Sequence, residues 1–449
     1  MCFFRIIFAI LKKHNMKFLL LLLSLTFINN SFSQEIKKCY TTELINNELV
    51  SNPNYQVEIN NVWKQNKNWL KSNQISKQTI TIPVVIHVIY RQNHSNLGIG
   101  TNIPNIQIED QLRILNEDFS KTNSEFPNPP RNTFVNYAGN ANIQFCLATT
   151  DPNGNPTDGI TRTLSTKNSF NYDTESNDMK RNSTGGKDGW PPGDYMNIWV
   201  CDIASQGNTS VLGYAYLPGL QSWNAWKDGL VVDFQYFGTT GNASSTSDGR
   251  TPTHEIGHYL GLNHTFCEAQ SGGCCDNDDS NVYDTPATDD VYFGSVNSGT
   301  NNNTCNDLLY GFNSDLLDMD ENFMAYSRNT WMFSNDQVNE MISTMNGYRS
   351  NLKNSNVTVN CTGIVNSEFV ELNKLFSFYP NPAKNSITIE SSELNYKLSL
   401  FDMLGNEVRT WKNLNNNTQI DISNLKSGVY LIKFNSETTH ITKRIIISK

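Results

Sequence analysis

The sequence has few histidines, no cluster of basic residues after its first forty positions, and no long apolar run beyond its leader. Basic residues number 34 against 43 acidic ones, and the formal net charge is -9. Nucleic acids and anionic membranes are normally met by a basic face, so the charge balance argues against both as partners. No later stretch reaches the roughly 20 apolar residues of a membrane span, and we expect no stable span.

The chain length indicates more than one folded unit, because single cores stop growing at about 250 to 300 residues and this chain has 449. Its hydrophobic content of 38% is typical of a globular protein. We predict a leader and signal peptide over 1–33, a propeptide over 34–78, a catalytic domain over 79–352, a linker over 353–374 and a C-terminal domain over 375–449.

The N-terminus is typical of an export signal. Lys17 precedes the apolar run 18–28, which is too short to span a bilayer. Small residues at Ser31 and Ser33 favour cleavage before Gln34, and Met16 is an alternative start of translation. Nine cysteines suit an exported protein, because disulfides form and persist outside the cytosol.

Four of the cysteines crowd one segment, and two more lie on strand-like segments. In the crowded segment we expect a loop held by disulfides rather than a second zinc site, with three possible pairings. Its members are Cys267, Cys274, Cys275 and Cys305. For Cys146 and Cys201, two buried thiols and one mutual bridge are equally consistent with the sequence.

Apolar patterning predicts a sheet backed by helices. Apolar and alternating runs indicate strands over 80–90, 143–148, 196–203 and 229–234, and residues at helical spacing indicate a helix from 106 to 119. Strands interleaved with helices favour an α/β half-domain. A second helix is predicted over 250–261.

That second helix carries two histidines on one face. Thr251 or Thr253 is its expected cap, and Gly261 its expected stop. His254 and His258 stand four residues apart, about one turn, so both imidazoles can reach one metal ion.

The histidines belong to an eleven-residue motif over 254–264, H-E-x-x-H-x-x-G-x-x-H. A glycine turn would bring His264 back as a third nitrogen ligand, leaving one position open, as catalytic zinc requires. Glu255 is the expected general base, because it can take a proton from a water that zinc acidifies. The short H-E-x-x-H is a weak signal, but only seven histidines occur in the chain, so the full motif is hard to reach by accident. His87 alternates with apolar residues in a strand, which favours a packing role.

The motif and a later methionine turn resemble the metzincin metallopeptidases. The turn is Asn-Phe-Met-Ala-Tyr-Ser over 322–327, and His-Thr-Phe from 264 and Asp-Thr-Pro-Ala from 284 are similar to the pappalysin family, in its cytophagalysin and ulilysin-like branch. The resemblance covers 80–348. It implies an α+β fold of two subdomains, with a mixed sheet, backing helices and an active-site helix. It also implies that Met324 forms an apolar floor beneath the imidazoles and that Tyr326 stabilises the oxyanion beside zinc.

Two positions depart from the ulilysin-like pattern. That branch has a pocket aspartate five residues after the turn methionine, where this chain has Asn329, preceded by Arg328. The preference for basic residues therefore does not carry over, and Arg328 would favour an acidic or polar side chain after the scissile bond. Trp331 replaces a cysteine of the branch, so at least one disulfide must differ.

Two further sites follow from the resemblance. The acidic stretch 276–279 with Asp284 and Thr285 resembles a calcium-binding loop, since calcium takes six to eight oxygens; a merely solvated loop is the alternative. Cys39 resembles a propeptide cysteine that occupies the open zinc position and keeps the enzyme latent. A stray thiol or an extra disulfide partner is the alternative for Cys39.

The C-terminal region is a different unit. Short apolar strands between Gly, Asn and Ser turns predict a small all-β sandwich over 375–449. The segments 378–383, 400–405 and 425–430 resemble the C-terminal sorting domain of type IX secretion cargo. This implies export by the type IX machinery through the periplasm and outer membrane, then release or surface attachment. A generic adhesive β-module is the alternative.

Together these features predict a secreted zinc-dependent endopeptidase that is made as a latent zymogen and acts on protein or peptide substrates. One alternative is an inactive protease-fold protein that serves binding or adhesion. That alternative predicts loss of the glutamate or of a motif histidine, and all are present. A zinc hydrolase with a non-peptide substrate is the third candidate.

Overall fold

The computed structural model describes residues 35–76, 78–204, 209–267, 275, 281–361, 376–380, 383–391, 395–402, 406–415, 418–436 and 440–448. The predicted signal peptide and the acidic stretch 276–279 lie outside these residues. Among the helices described, none combines the length and the apolar character needed to cross a bilayer.

The elements follow one another in three groups. The N-terminal segment, residues 35–72, contains β1 (Glu35–Cys39), α1 (Thr41–Ser51) and α2 (Asn54–Ser72). The central helices are α3 (Asn105–Phe119), α4 (Thr251–Tyr259), α5 (Asn335–Asn346) and α6 (Ser350–Lys353). The central strands are β2 (Ile80–Arg91), β3 (Ile143–Ala148), β4 (Ile160–Ser165), β5 (Phe170–Asn171), β6 (Met196–Cys201), β7 (Ile203–Ala204), β8 (Thr209–Ala215), β9 (Leu230–Asp233) and β10 (Val359–Asn360). The last strands are β11 (Phe376–Tyr379), β12 (Ser386–Ser391), β13 (Tyr396–Phe401), β14 (Glu407–Leu414), β15 (Thr418–Asp421), β16 (Gly428–Asn435) and β17 (His440–Ile447).

An eight-stranded mixed sheet organises the central part. Its order is β1-β8-β9-β6-β2-β3-β10, and β4 pairs with the later half of β2. The β8–β9 and β3–β10 pairs are antiparallel, and the other pairs are parallel. The strand β1 of the N-terminal segment therefore forms one edge of the sheet.

Both faces of the sheet are buried. Along β6, Ile198 and Val200 belong to one apolar core, whereas Trp199 and Cys201 belong to another, as the alternation of strand side chains requires. Helices α3, α4 and α5 cover the first face. Helices α1 and α2 cover the second face.

The predicted strands and the backing helix are confirmed, with two corrections. The predicted strand over 196–203 is interrupted at Asp202, whose neighbours belong to β6 and β7. The predicted cap of α4 is wrong: Arg250 is the N-cap residue and its side chain makes no capping bond. The Thr253 hydroxyl instead donates to the Asp118 carboxylate at 2.7 Å, since both side chains are buried between α3 and α4.

The disulfides show how several of the cysteines are paired. Cys275 pairs with Cys305, so the crowded segment is held by disulfides as predicted. Cys267 is also disulfide-bonded. Of the two alternatives for Cys146 and Cys201, the mutual bridge is wrong, and a buried thiol is found for Cys201 but not for Cys146. Cys146 pairs with Cys361, 215 residues later, and Cys201 is a buried thiol.

The C-terminal strands form the predicted sandwich. One sheet has the order β11-β12-β15 and the other β14-β13-β16-β17, and all their pairs are antiparallel. Ile387 and Ile389 from the first sheet share an apolar core with Leu398 and Phe434 from the second.

Candidate active site

The three motif histidines converge at one point. The Nε2 atoms of His254 and His264 lie 3.0 Å apart, and the Nε2 atom of His258 lies 3.2 Å and 3.1 Å from them. Helix α4 carries His254 and His258, and the turn after the helix brings His264 back towards them. Gly261 has a φ of +105°, a left-handed conformation that strongly favours glycine there.

The other nitrogens of two of these rings fix their orientation. Nδ1 of His254 lies 2.7 Å from the Phe323 carbonyl oxygen, and Nδ1 of His258 lies 2.7 Å from the Leu262 carbonyl oxygen. An Nδ1–H that donates to a carbonyl leaves the Nε2 lone pair for a metal. Burial also lowers the pKa of His254 well below its ordinary value, which favours the neutral ligand form. Three buried nitrogen acceptors facing one another fit a cation between them.

The methionine turn lies beneath these ligands. Met324 is fully buried, and its sulfur occupies the space that a Cβ on Gly257 would need, at 2.3 Å from that position. The glycine inside the histidine motif therefore lets the methionine pack directly against the backbone of α4. The neighbouring Phe323 carbonyl holds His254, so the turn also orients a ligand.

Glu255 lies on α4 with its carboxylate fully buried. Its Oε2 atom accepts from Thr41 at 3.2 Å and lies 3.5 Å from the Cys39 sulfur. Its Oε1 atom has no hydrogen-bond partner in the described part of the chain. Burial raises the pKa of this carboxyl to about 8, while the bonds from Cys39 and Thr41 act in the opposite direction. Gly213 on β8 makes room for Glu255, because a Cβ there would lie 3.1 Å from its Cγ.

Cys39 completes the group of candidate ligands. Its sulfur and one nitrogen from each of the three histidines all lie within 4.8 Å of one another, and all four residues are buried. Strand β1 carries the cysteine there by pairing in parallel with β8, with Cys39 opposite Gly213. Cys39 and His254, 215 residues apart in the sequence, thus meet at one site.

Tyr326 borders the same site. Its ring centre lies 5.0 Å from that of His264 and 5.7 Å from that of His254. Its hydroxyl donates to the backbone oxygen of Cys39 at 3.4 Å. The predicted stabilising hydroxyl therefore contacts the N-terminal segment in this form of the chain.

A cavity of about 370 Å³ opens beside the histidines. Arg328 and Asp248 place opposite charges in its wall, and Lys38 of β1 lies in it, with its ammonium group donating to the Ser327 carbonyl. Burial lowers the pKa of Lys38, and Asp248 acts against that shift. Asn329 does not line this cavity.

The Asn329 amide is used elsewhere. Its oxygen accepts from the Val296 N–H at 2.7 Å, and its nitrogen donates to the Val296 carbonyl at 2.9 Å. Asn329 stands where the ulilysin-like branch has its pocket aspartate. Here its side chain instead forms two hydrogen bonds with the backbone of Val296.

Of the two predicted calcium residues, Asp284 contacts the start of α5. Asp284 accepts from the Ser334 hydroxyl at 2.5 Å and from the Asp336 N–H at 3.0 Å. Burial raises its pKa to about 6. Thr285 is half-buried beside it. Within the described residues, the group around the three histidines is the sole candidate metal cluster.

Three residues of the site were not predicted from the sequence. Thr41 bonds to the predicted base, Gly213 makes room for it, and Asp248 charges the cavity. Thr41 and Gly213 come from segments distant in sequence from the motif, whereas Asp248 lies just before α4. The nearest signal was the position of Thr41, two residues after the predicted latency cysteine.

The fold and this site define a metalloendopeptidase. The family described as pregnancy-associated plasma protein-A matches residues 179–346, and the family described as a secretion system C-terminal sorting domain matches residues 377–448. The chain belongs to the pappalysin family of metzincin metallopeptidases. Its sorting domain directs export by type IX secretion, so the protein is located at the cell surface or is secreted.

Solved structures from Tannerella forsythia are similar to this chain. Mature mirolysin in complex with a cleaved peptide is 36% identical, with a TM-score of 0.53 over 62% of this chain and 97% of that one. A mutant of promirolysin is 33% identical, with a TM-score of 0.58 over 71% of this chain and 97% of that one. The metzincin fold predicted from the motif is thereby confirmed.

Curated extracellular metalloproteases of fungi are also similar. The protein from Arthroderma gypseum is 25% identical over 58% of this chain and 71% of its own length. That from Colletotrichum graminicola is 28% identical over 61% of this chain and 78% of its own length. These relatives agree with an exported metallopeptidase.

Proposed function

We propose that this metallopeptidase is a zinc enzyme in which His254, His258 and His264 hold the metal and Glu255 is the general base. The convergence of the three Nε2 atoms within 3.2 Å of one another carries the proposal. Three neutral imidazoles with one open position are the ligand set of catalytic zinc. When bound, zinc supplies the Lewis acid that polarises a peptide carbonyl and acidifies water.

The chain's own residues perform the proton transfers. The Glu255 carboxylate takes the proton of the attacking water and then delivers it to the leaving amine. Its burial and the closeness of α4 to β8 at Gly213 hold it in one place. After the N-terminal segment leaves, the Tyr326 hydroxyl is released from the Cys39 backbone and can donate to the oxyanion on the attacked carbonyl. Met324 keeps the floor of the site apolar.

We further propose that residues 34–78 act as an inhibitory propeptide with Cys39 as its metal ligand. The proposal is supported by the placement of the Cys39 sulfur within 4.8 Å of the histidine nitrogens. Thr41 adds a second contact, to the base itself. On the other side, the Trp63 indole donates to the Gly261 carbonyl at 3.0 Å, and the Asn66 amide donates to Glu340 at 2.6 Å. The N-terminal segment thus contacts the cavity through Lys38, the Glu255 carboxylate through Thr41, and the turn before His264 through Trp63.

Metal analysis tests the zinc assignment. We expect about one zinc per chain after the segment is removed, and loss of casein cleavage by at least about a thousand-fold on chelation, restored by zinc. His258→Ala should lose both zinc and activity, whereas His94→Ala, outside the cluster, should keep both. Active protein without zinc would contradict the assignment. The same measurement decides whether calcium is bound, which stays a prediction from the Asp-Thr-Pro loop.

The cavity at Arg328 is proposed to receive the side chain that follows the scissile bond. Arg328 repels basic side chains and Asp248 attracts them. We expect Arg328→Ala to raise cleavage before lysine and arginine by about two- to five-fold, and Asp248→Asn to lower it, as exposed charge pairs contribute up to ~1 kcal/mol. Sequencing the products of a random peptide library measures both. An unchanged profile in both variants would remove this cavity from the specificity site.

A further inference from the structure

A second pocket lies beside the metal site and is filled by Tyr40. The Tyr40 side chain is 4% exposed, and its hydroxyl donates to Asp173 at 2.6 Å. Its ring centre lies 4.9 Å from that of Tyr172 and 6.1 Å from that of Tyr214, in tilted and edge-on contacts. The pocket therefore holds an aromatic ring between two others and places a carboxylate at its far end.

The pocket walls belong to the central part of the chain and are held there by their own contacts. The Tyr214 hydroxyl donates to the Ser176 carbonyl at 3.0 Å. The Asn171 side chain accepts from the Asp173 N–H at 2.9 Å, which fixes the loop that carries the carboxylate. None of these bonds involves the N-terminal segment, so Tyr214 and the loop that carries Asp173 keep them when Tyr40 leaves.

The pocket is one residue away from the metal site along the edge of the sheet. Cys39 pairs with Gly213 and faces the histidines. The next residue, Tyr40, donates its N–H to the Gly213 carbonyl at 3.1 Å and sends its side chain to the other face. A peptide that adds to the β8 edge in place of β1 will also alternate its side chains between these faces.

We propose that the pocket of Tyr172, Asp173 and Tyr214 is a substrate subsite that selects a phenolic side chain next to the bond that is cut. This inference rests on the proposed peptidase function. The two tyrosine rings would favour any aromatic side chain through ring contacts. Asp173 adds a hydrogen bond that tyrosine can make and phenylalanine cannot, and a bond from a hydroxyl to a carboxylate is of the stronger kind.

The test uses the activated enzyme and one set of three quenched peptides for each position within two residues of the cut. The peptides of a set differ only in carrying tyrosine, phenylalanine or alanine at that position. At one position we expect kcat/KM to fall in the order tyrosine, phenylalanine, alanine, with about ten-fold between the first two. Asp173→Asn should bring the tyrosine to phenylalanine ratio close to one. Asp194→Asn, an exposed aspartate outside the pocket, is the charge-matched control and should keep the wild-type ratio.

The Tyr172→Ala variant tests the ring contacts of the subsite separately from the hydrogen bond to Asp173. It should lower the preference for both aromatic peptides over the alanine peptide. A tyrosine to phenylalanine ratio that Asp173→Asn leaves unchanged, or no aromatic preference at any position, overturns the subsite. Failure of the wild-type enzyme to cut any of the three peptides at any position would instead count against the peptidase function.

Discussion

Replacing Glu255 by glutamine will lower peptide cleavage by at least about a hundred-fold and leave zinc bound. The amide keeps the size of the side chain but cannot accept the proton of the attacking water, and a positioned general base contributes about 10² to 10⁴ in rate. Glu255 is not among the residues whose nitrogens or sulfur form the candidate ligand set. Metal content should therefore match the wild type while kcat falls by at least a hundred-fold, roughly the lower end of that range.

The control for this variant is Glu109→Gln on α3, which removes a carboxylate outside the site. It should keep wild-type turnover. Glu255→Gln protein that cuts peptides at a normal rate would show that another group carries the proton. Loss of zinc together with activity would show that Glu255 supports the metal site itself.

Replacing Cys39 by alanine will release activity from the uncleaved precursor. The change removes the sulfur that lies among the histidine nitrogens, so water can reach the fourth metal position. The β1–β8 pairing and the Thr41 bond to Glu255 remain, and we expect only partial release, at least about ten-fold above the wild-type precursor. Adding Thr41→Val should raise the precursor's activity further.

Cleavage of a short peptide by freshly purified precursor, with its intact mass checked, measures the release. Cys201→Ala is the matched control, because it also removes a buried thiol but one remote from the histidine cluster. A Cys39→Ala precursor as silent as the wild type would assign latency to the strand and helices of the N-terminal segment alone.

The sequence was most informative where one local pattern decides the structure. The spacing of His254 and His258 predicts a helix with one shared face, and α4 has it. The run 143–148 coincides with β3, because its apolar residues face a buried layer. In such segments, periodicity and burial point to the same answer.

Contacts between residues far apart in the chain could not be predicted from the sequence. The partner of Cys146 lies 215 residues later, and nothing local selects it over Cys201. The residues of α2 are mostly polar, yet the helix buries Tyr55, Ile59 and Trp63 at helical spacing. Those apolar positions are sparse, and they form a face only because a sheet lies beneath them.

The pairing of β1 with β8 affects which sheet edge the chain exposes, and so its tendency to aggregate, during export. An uncovered sheet edge readily pairs with other chains and aggregates. While β1 lies along β8, the β8 edge is covered by the chain's own strand, and the outer edge of the sheet is the short β1 of 5 residues. Cutting after α2 would open the edge only at the destination, where a strand-shaped peptide is the partner it should find.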